Sequence, residues 1–206
     1  ILDVALSKIG DKGLFTKEIE YALLNNEADI AMHSLKDVPA TMPEALFLAA
    51  VLPREDCRDA LISSKDVKSL EDLPQGATIG TSSPRRSAQL KRLRPDFNIV
   101  DFRGNVPTRL KKLEAGEVDA TILAVAGLKR LKMEHVISFI LSPEKMLPAI
   151  GQGIVTMQCR KADDEIKALL EKINDTKTFS QMTAERAILE HIEGDCRTPL
   201  AGLATL

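Results

Sequence analysis

The sequence predicts an α/β protein of two lobes, one inserted into the other, with ligand bound in the cleft between them. Three observations carry this expectation. Short apolar runs alternate with amphipathic helical patterns across short connections, which favours a largely parallel sheet covered by helices. Pro53, in the charged stretch Pro53-Arg54-Glu55-Asp56, and Pro148 mark two crossings, so the segment between them reads as an inserted lobe. The whole chain's hydrophobic and charged fractions, 44% and 28%, leave enough apolar surface for substantial cores over its 206 residues.

Along the chain, Thr16 is placed to cap a helix whose apolar residues Ile19, Ala22 and Leu23 share one face, with Asn25 and Asn26 near its end. Residues 28–32 read as a buried strand, followed by a polar turn from His33 to Asp37. The run 46–51 is a second strand. In the inserted lobe, strands are expected at 60–62, 78–80, 98–102 and 120–125, with a short helix around Ser69 to Leu73. Ser83 is a good N-cap and Pro84 suits the first helical position, so a helix opens there. Asn105 caps another helix, which carries Leu110 and Leu113 and is stopped by Gly116, and a further helix runs through Leu128 to Leu131. After Pro148, Gly151-Gln152-Gly153 leads into a strand at 154–158, and helices fit 163–173 and 179–191. The chain opens at Ile1 without methionine or leader and stops in a strand-like run at Leu206, so we expect a piece of a longer protein.

Composition narrows the function. Aromatic residues make up only 3% and Trp is absent, which removes the stacking platforms that single-stranded nucleic acid needs. No apolar stretch is long enough to span a bilayer, so no membrane partner is expected. Cys57, Cys159 and Cys196 are widely spaced, with neither a C-x-x-C pair nor a neighbouring histidine. A disulfide framework or a metal site is therefore not expected, and a reducing cytoplasm is.

Net charge is −2, yet Thr81 to Lys112 holds Arg85, Arg86, Lys91, Arg92, Arg94, Arg103, Arg109, Lys111 and Lys112 against Asp96 and Asp101. A basic island in an acidic chain points to an anionic target. At its start, Thr81-Ser82-Ser83-Pro84-Arg85-Arg86 would bring hydroxyls, free backbone N–H groups and two guanidinium forks to one helix mouth, which describes an anion site. Lys91, Arg92, Arg94, Lys111 and Lys112 read as solvated surface. Arg103 and Arg109 repeat the strand–loop–helix scheme and can share the cradle.

His33-Ser34-Leu35-Lys36-Asp37 ends a strand, where open α/β sheets place ligands. A Ser–His pair is set aside because adjacent strand residues face opposite ways. Lys36 beside Asp37 is more useful: such a carboxylate can hold a pyrrole-type N–H or a developing cation. Cys196, in the polar loop Glu193-Gly194-Asp195-Cys196-Arg197-Thr198, reads as a reactive thiol, whereas Cys57 and Cys159 read as inert.

Taken together these motifs resemble the porphobilinogen deaminase (hydroxymethylbilane synthase) family. The matching stretches are Ile1-Leu2-Asp3, Leu6 to Gly10, Lys12 to Glu18, His33 to Pro39, Gly80 to Arg86, Arg103-Gly104-Asn105 and Thr108-Arg109-Leu110. They continue with Ile122 to Arg130, Gly151-Gln152-Gly153, Thr183 to Ala187 and the Cys196 loop, in the family's order over essentially the whole chain. The resemblance implies an enzyme that links four porphobilinogen units head to tail with release of ammonia, giving hydroxymethylbilane in tetrapyrrole (haem) biosynthesis. It implies two hinged lobes resembling type II periplasmic binding proteins and the start of a small third α+β domain. Mapped here these are 1–52 with 148–173, 53–147, and 174–206. It also implies a dipyrromethane cofactor joined by a thioether to Cys196, and a monomer in the cytoplasm.

By the same match Asp37 is the catalytic carboxylate, with Lys36 beside it. Asp37 would hydrogen-bond the pyrrole N–H groups, assist loss of the amino group and stabilise the azafulvenium cation. Lys8, Ser34, Thr81, Ser82, Ser83, Arg85, Arg86, Arg103, Arg109 and Arg130 correspond to groups that hold acetate and propionate side chains. Asp195 departs from the glycine that usually precedes the family's cysteine; it would raise the thiol pKa, and Arg197 would offset that. The alternative is a non-enzymatic two-lobed binder of organic anions or phosphate, in which Cys196 is incidental. A nucleic-acid module would need the aromatics this chain lacks.

Overall fold

The structure is a computed structural model that describes residues 14–192 and 199–206. Its elements, in order, are α1 (Leu14–Leu24), β1 (Ala31–Ser34), a 3-10 turn (Leu35–Asp37), β2 (Leu46–Val51), β3 (Asp59–Ser63) and β4 (Thr78–Gly80). Next come α2 (Pro84–Leu93), β5 (Asn98–Val100), α3 (Val106–Glu114), β6 (Ala120–Ala124), α4 (Val125–Arg130) and a 3-10 turn (Glu134–Val136). Then follow β7 (Phe139–Ile140), β8 (Val155–Arg160), α5 (Asp164–Glu171) and α6 (Thr176–His191).

Two sheets form, with orders β1-β8-β2 and β5-β4-β6-β3-β7. The expectation of a largely parallel sheet needs correction. In the first sheet β8 runs antiparallel to both neighbours; in the second, β3 runs antiparallel to β6 and β7, while β4 is parallel to β5 and β6. The reason is the path of the chain. β3 and β8 are the strands that begin where the chain crosses from one lobe into the other, so each leads away from the cleft that its neighbours lead toward.

The crossings lie side by side. Leu52 N donates to Val155 O at 3.0 Å and Glu55 N to Gly153 O at 2.9 Å. The Arg54 Nε bond to Gln152 O (3.0 Å) and the Gln152 Nε2 bond to Cys57 O (2.6 Å) add side-chain rungs. The two passages of chain thus make a hydrogen-bonded ribbon.

β3 alternates between the two cores of its lobe. Leu61 faces Leu73, Ile79, Leu90, Phe97 and Met146, while Ala60 and Ile62 face Phe102, Leu110, Leu113 and Leu128. In the first lobe Leu35, Val38, Leu48, Val51 and Ile154 pack against Met182 of α6. Helix α6 is thereby seated on the first lobe, and Leu189 extends the contact to Ala40 and Ile150.

Several elements differ from expectation for local reasons. Thr16 lies inside α1 rather than capping it, because no glycine or proline separates it from Leu14. Residues 28–32 do not form a buried strand: β1 starts at Ala31 and leaves Met32 70% exposed at the sheet edge among the described strands. Residues 69–73 form turns, since the Asp72 carboxylate takes the backbone N–H groups of Lys68 and Ser69 while Leu70 and Leu73 are buried. α6 begins at Thr176, three residues ahead of expectation, because Asp175 accepts from Thr178 N at 2.7 Å and caps it.

Candidate functional site

The parallel strands end on one side of each sheet, and that is where the loops singled out in the sequence sit. β1 runs into the turn 35–37, β4 into the loop 81–83, β5 into 101–105 and β6 directly into α4. Strand carboxyl ends of open α/β sheets gather ligands because the chain reverses there and leaves side chains and N–H groups unpaired.

In the turn after β1, Leu35 is the anchor: it is buried, and its N–H donates to Ile154 O at 2.9 Å. With Leu35 fixed, Lys36 is half-buried and Asp37 exposed. Gly151 explains why the anchor fits. Its φ is +72°, and a Cβ there would lie 2.7 Å from Leu35 Cγ. A cavity at this point is lined by Ser34 and Lys36 from the first lobe, Gly127 and Arg130 from the second, and Gly151 to Ile154 from the crossing. Arg130, distant in sequence, is thus brought together with Ser34 and Lys36. Burial and then the Arg86 charge push the Lys36 pKa down, partly opposed by Asp37 and Asp59.

Ser83 caps α2, accepting from Arg86 N at 3.4 Å, with Pro84 in the first turn. Thr81 is buried, and its Oγ1 accepts from Ser83 N at 3.2 Å. Ser82 is exposed and its Oγ accepts from Phe102 N at 3.1 Å, joining this loop to the next one. Two of the three hydroxyls therefore shape the helix mouth, and the third ties it to the loop after β5.

Arg85 and Arg86 do not extend as open forks into solvent. Both are buried, at 5% and 7% exposure, against the wholly buried Asp59. Arg85 Nη2 donates to Asp59 Oδ2 at 2.6 Å and Arg86 Nη2 to Oδ1 at 2.7 Å. Backbone carbonyls take a second donor from each: Leu147 O from Arg85 Nη1 (2.6 Å) and Ile122 O from Arg86 Nη1 (3.0 Å). Arg86 Nε, also buried, has no hydrogen-bond partner among the described residues. Burial alone would raise the Asp59 pKa; the two guanidinium groups outweigh it and bring the carboxyl to about 2.

Arg109 is half-buried and donates from Nε to Gly104 O at 2.8 Å; burial and then Arg86 lower its pKa, which puts it within the same field. Arg103 stays 82% exposed in a pair with Asp101. Lys8 and Cys196 lie outside the described residues. The basic residues read as surface divide. Lys91, Arg92 and Lys111 are exposed, but Arg94 is a staple: it bonds Asp96 and Leu70 O and lies 4.4 Å over the Phe97 ring. His33 is occupied by Gln158, at 3.0 Å.

Sequence reading missed the groups that hold the site in place. Glu185, at 1% exposure, accepts from Arg54 Nη1 (2.6 Å), Gly151 N (2.7 Å) and Ala204 N (2.9 Å). Arg186 donates to Pro39 O and Ala40 O, pinning the chain beyond Asp37. The motifs Gly151-Gln152-Gly153 and Thr183 to Ala187 were the signal available. Several partners lie far away, at separations of 131 for Arg54 and Glu185 and 95 for Gln152 and Cys57, and even the Gly151–Glu185 bond spans 34 residues, so no local pattern names them.

A family model described as porphobilinogen deaminase, dipyromethane cofactor binding domain, matches residues 1–168. The chain is 54% identical over 206 residues to a porphobilinogen deaminase of Syntrophomonas wolfei, covering all of this chain and 67% of that protein. It is 53% identical over 207 aligned positions to one from Bacillus pumilus, covering 66% of it. It therefore spans about two thirds of the length of these relatives. Among solved structures, a lipoprotein from Bacillus subtilis matches with a TM-score of 0.51 at 20% identity, over 79% of this chain and 78% of that one. A periplasmic substrate-binding protein from Coxiella burnetii gives 0.51 at 16%, over 84% and 80%. Those two share the two-lobed fold of type II periplasmic binding proteins.

Proposed function

The chain belongs to the porphobilinogen deaminase family, and from that membership we infer that it condenses four porphobilinogen molecules head to tail, releasing ammonia, to give hydroxymethylbilane. One observation carries the reading at the level of chemistry. Among the described residues, Asp37 is an exposed carboxylate at a strand end next to Lys36, in a field where the cations Lys36, Arg130, Arg109 and the Arg85–Arg86 pair outnumber the carboxylates Asp59 and Asp101. Each pyrrole ring of the substrate brings two carboxylates and one N–H. The cations suit the carboxylates, and Asp37 suits the N–H and the positive charge that develops as the amino group leaves.

The same donor set fits dipyrromethane, the cofactor of the matched family domain. The buried Arg86 Nε is a donor without an acceptor among the described residues, and the cleft supplies guanidinium geometry that a carboxylate can bridge. When bound, the cofactor supplies the primer on which the chain of pyrroles grows. In our reading Cys196 attaches it by a thioether, and Ser34, Thr81, Ser82, Ser83, Arg85, Arg86, Arg103, Arg109, Arg130 and Lys8 orient its carboxylates or those of incoming rings. Asp37 catalyses, with Lys36 holding a substrate carboxylate at the cleft wall.

We assign the lobes to 1–52 with 148–173 and to 53–147, with a third domain starting at 174. The packing of α6 through Met182 supports a domain seated on the first lobe. No described helix is long and apolar enough to cross a membrane. We place the protein in the cytoplasm as a monomer, with porphobilinogen as its partner and neither nucleic acid nor membrane.

The test is Asp37→Asn, which keeps the size and removes the charge. Turnover of porphobilinogen should fall by about a hundredfold or more, with covalent cofactor still present by intact mass. Near-normal turnover sinks the role of Asp37. An unmodified Cys196 in an active protein sinks the attachment site.

A further inference from the structure

We infer that Asp59 is a positioning residue, one that holds Arg85 and Arg86 in fixed orientation at the ligand cleft and, through Gln152, keeps that pair in register with the interlobe crossing. The inference rests on the functional reading above for what the arginines hold, but the holding itself is geometric.

Asp59 is the first residue of β3, at the point where the chain enters the second lobe, and it is wholly buried. Its two oxygens take three bonds: Oδ1 from Arg86 Nη2 and from Gln152 Nε2 (3.0 Å), Oδ2 from Arg85 Nη2. With Leu147 O and Ile122 O, each guanidinium is gripped at two points, so neither plane can rotate freely. Two adjacent buried guanidinium groups would otherwise repel. One carboxylate between them leaves the pair with a single net positive charge and a defined geometry.

What the grip leaves over is informative. Arg86 Nε is buried and has no hydrogen-bond partner among the described residues, while its Nη groups are used. Leaving a buried charged donor without an acceptor costs stability, so this atom marks the part of the grip that is under-satisfied. Two ties run from this pair to the crossings. Gln152 joins Asp59 to Cys57 O. On the other side, Gln89 of α2 and the backbone of Leu147 bond reciprocally, at 3.0 and 2.8 Å, next to the Arg85 bond. The mouth of α2 is therefore fixed to the crossing as well as to its own lobe. Asp59 acts through the arginines and does not touch ligand.

The experiment compares Asp59→Asn and Gln152→Met with the wild type in the full-length protein. Asparagine keeps the shape but turns one face toward an arginine as a donor. Gln152→Met keeps the charges and removes one tie. We expect Asp59→Asn to raise the KM for porphobilinogen about tenfold or more with a smaller change in kcat, and to lower covalent cofactor occupancy by intact mass. Gln152→Met should move KM the same way, by less. Reaction with phenylglyoxal, read by peptide mass, should speed up at Arg85 and Arg86 in Asp59→Asn about tenfold, since both planes are released. A merely structural role would lower the folded fraction and leave the KM and occupancy of the remaining protein unchanged. Folded variants with wild-type KM, or unchanged phenylglyoxal rates, overturn the proposal. If Asp59→Asn does not fold, Gln152→Met alone decides it by KM and occupancy. A wild-type protein that releases no ammonia from porphobilinogen overturns the functional reading, and the labelling rates still decide whether Asp59 holds the pair.

Discussion

At Gly153 the backbone has φ +86°, and a Cβ would lie 2.4 Å from Glu55 O, an atom of the opposite crossing. No side chain can yield there, because the obstacle is main chain. Gly153→Ala combines left-handed strain with overpacking, and should destabilise the protein by about 2–4 kcal/mol in chemical denaturation. A loss under about 0.5 kcal/mol would show that the crossings are looser than the geometry requires. Asp59 sets a second test. Its pKa is about 2 in the fold, against about 3.9 in an unfolded chain. A depressed carboxyl stabilises fully above its unfolded value and loses that contribution as pH falls through its folded one. Part of the wild type's loss of thermal stability between about pH 4 and 2 should therefore be missing in Asp59→Asn; parallel acid profiles would remove Asp59 as the cause. Local structure was readable from sequence alone where the chemistry is local: Ser83 and Pro84 opening a helix, or the turn after β1 that carries Lys36 and Asp37. Asp59 was not readable. It sits 26 and 27 residues before the arginines it pairs with, at the edge of the apolar run Ala60 to Ile62.

The helix caps can be ranked by their hydrogen bonds. Asn105 Oδ1 accepts from Thr108 N at 2.9 Å and from Thr108 Oγ1 at 2.7 Å, whereas the Ser83 bond to Arg86 N is 3.4 Å. Asn105→Ala should therefore cost more than Ser83→Ala, both within about 0.5–2 kcal/mol, by thermal melting; the reverse order would mean that Ser83 does more than cap. β2 and α3 were legible because each is bounded by strong punctuation: a continuous apolar run ending at Pro53, and an Asn cap with Gly116 at φ +77°. β7 was not, because two residues carry no period and pair only through their neighbour β3. Residues 69–73 had helical spacing, but the backbone N–H groups of Lys68 and Ser69 went to Asp72 instead.

For the molecule as a whole, Glu185 is the point where α6, both crossings and the segment near Ala204 meet. Its ion pair with Arg54 has side chains only 8% and 1% exposed, so breaking it leaves a buried guanidinium without its counter-charge. Glu185→Gln should destabilise by about 3–5 kcal/mol and speed proteolysis in the stretch 53–58. Unchanged cleavage there would mean that α6 does not hold the crossing. Pro53 and Pro148 announced two lobes, but strand direction followed from the route of the chain, which composition does not encode.

The paired crossings have a mechanical consequence. Leu52 N bonds Val155 O and Glu55 N bonds Gly153 O, so sliding one passage of chain past the other would break both bonds at once. Both covalent links between the sheets carry this pairing. Any displacement that preserves it must act on the two passages together, as on a clasp rather than on two separate strings.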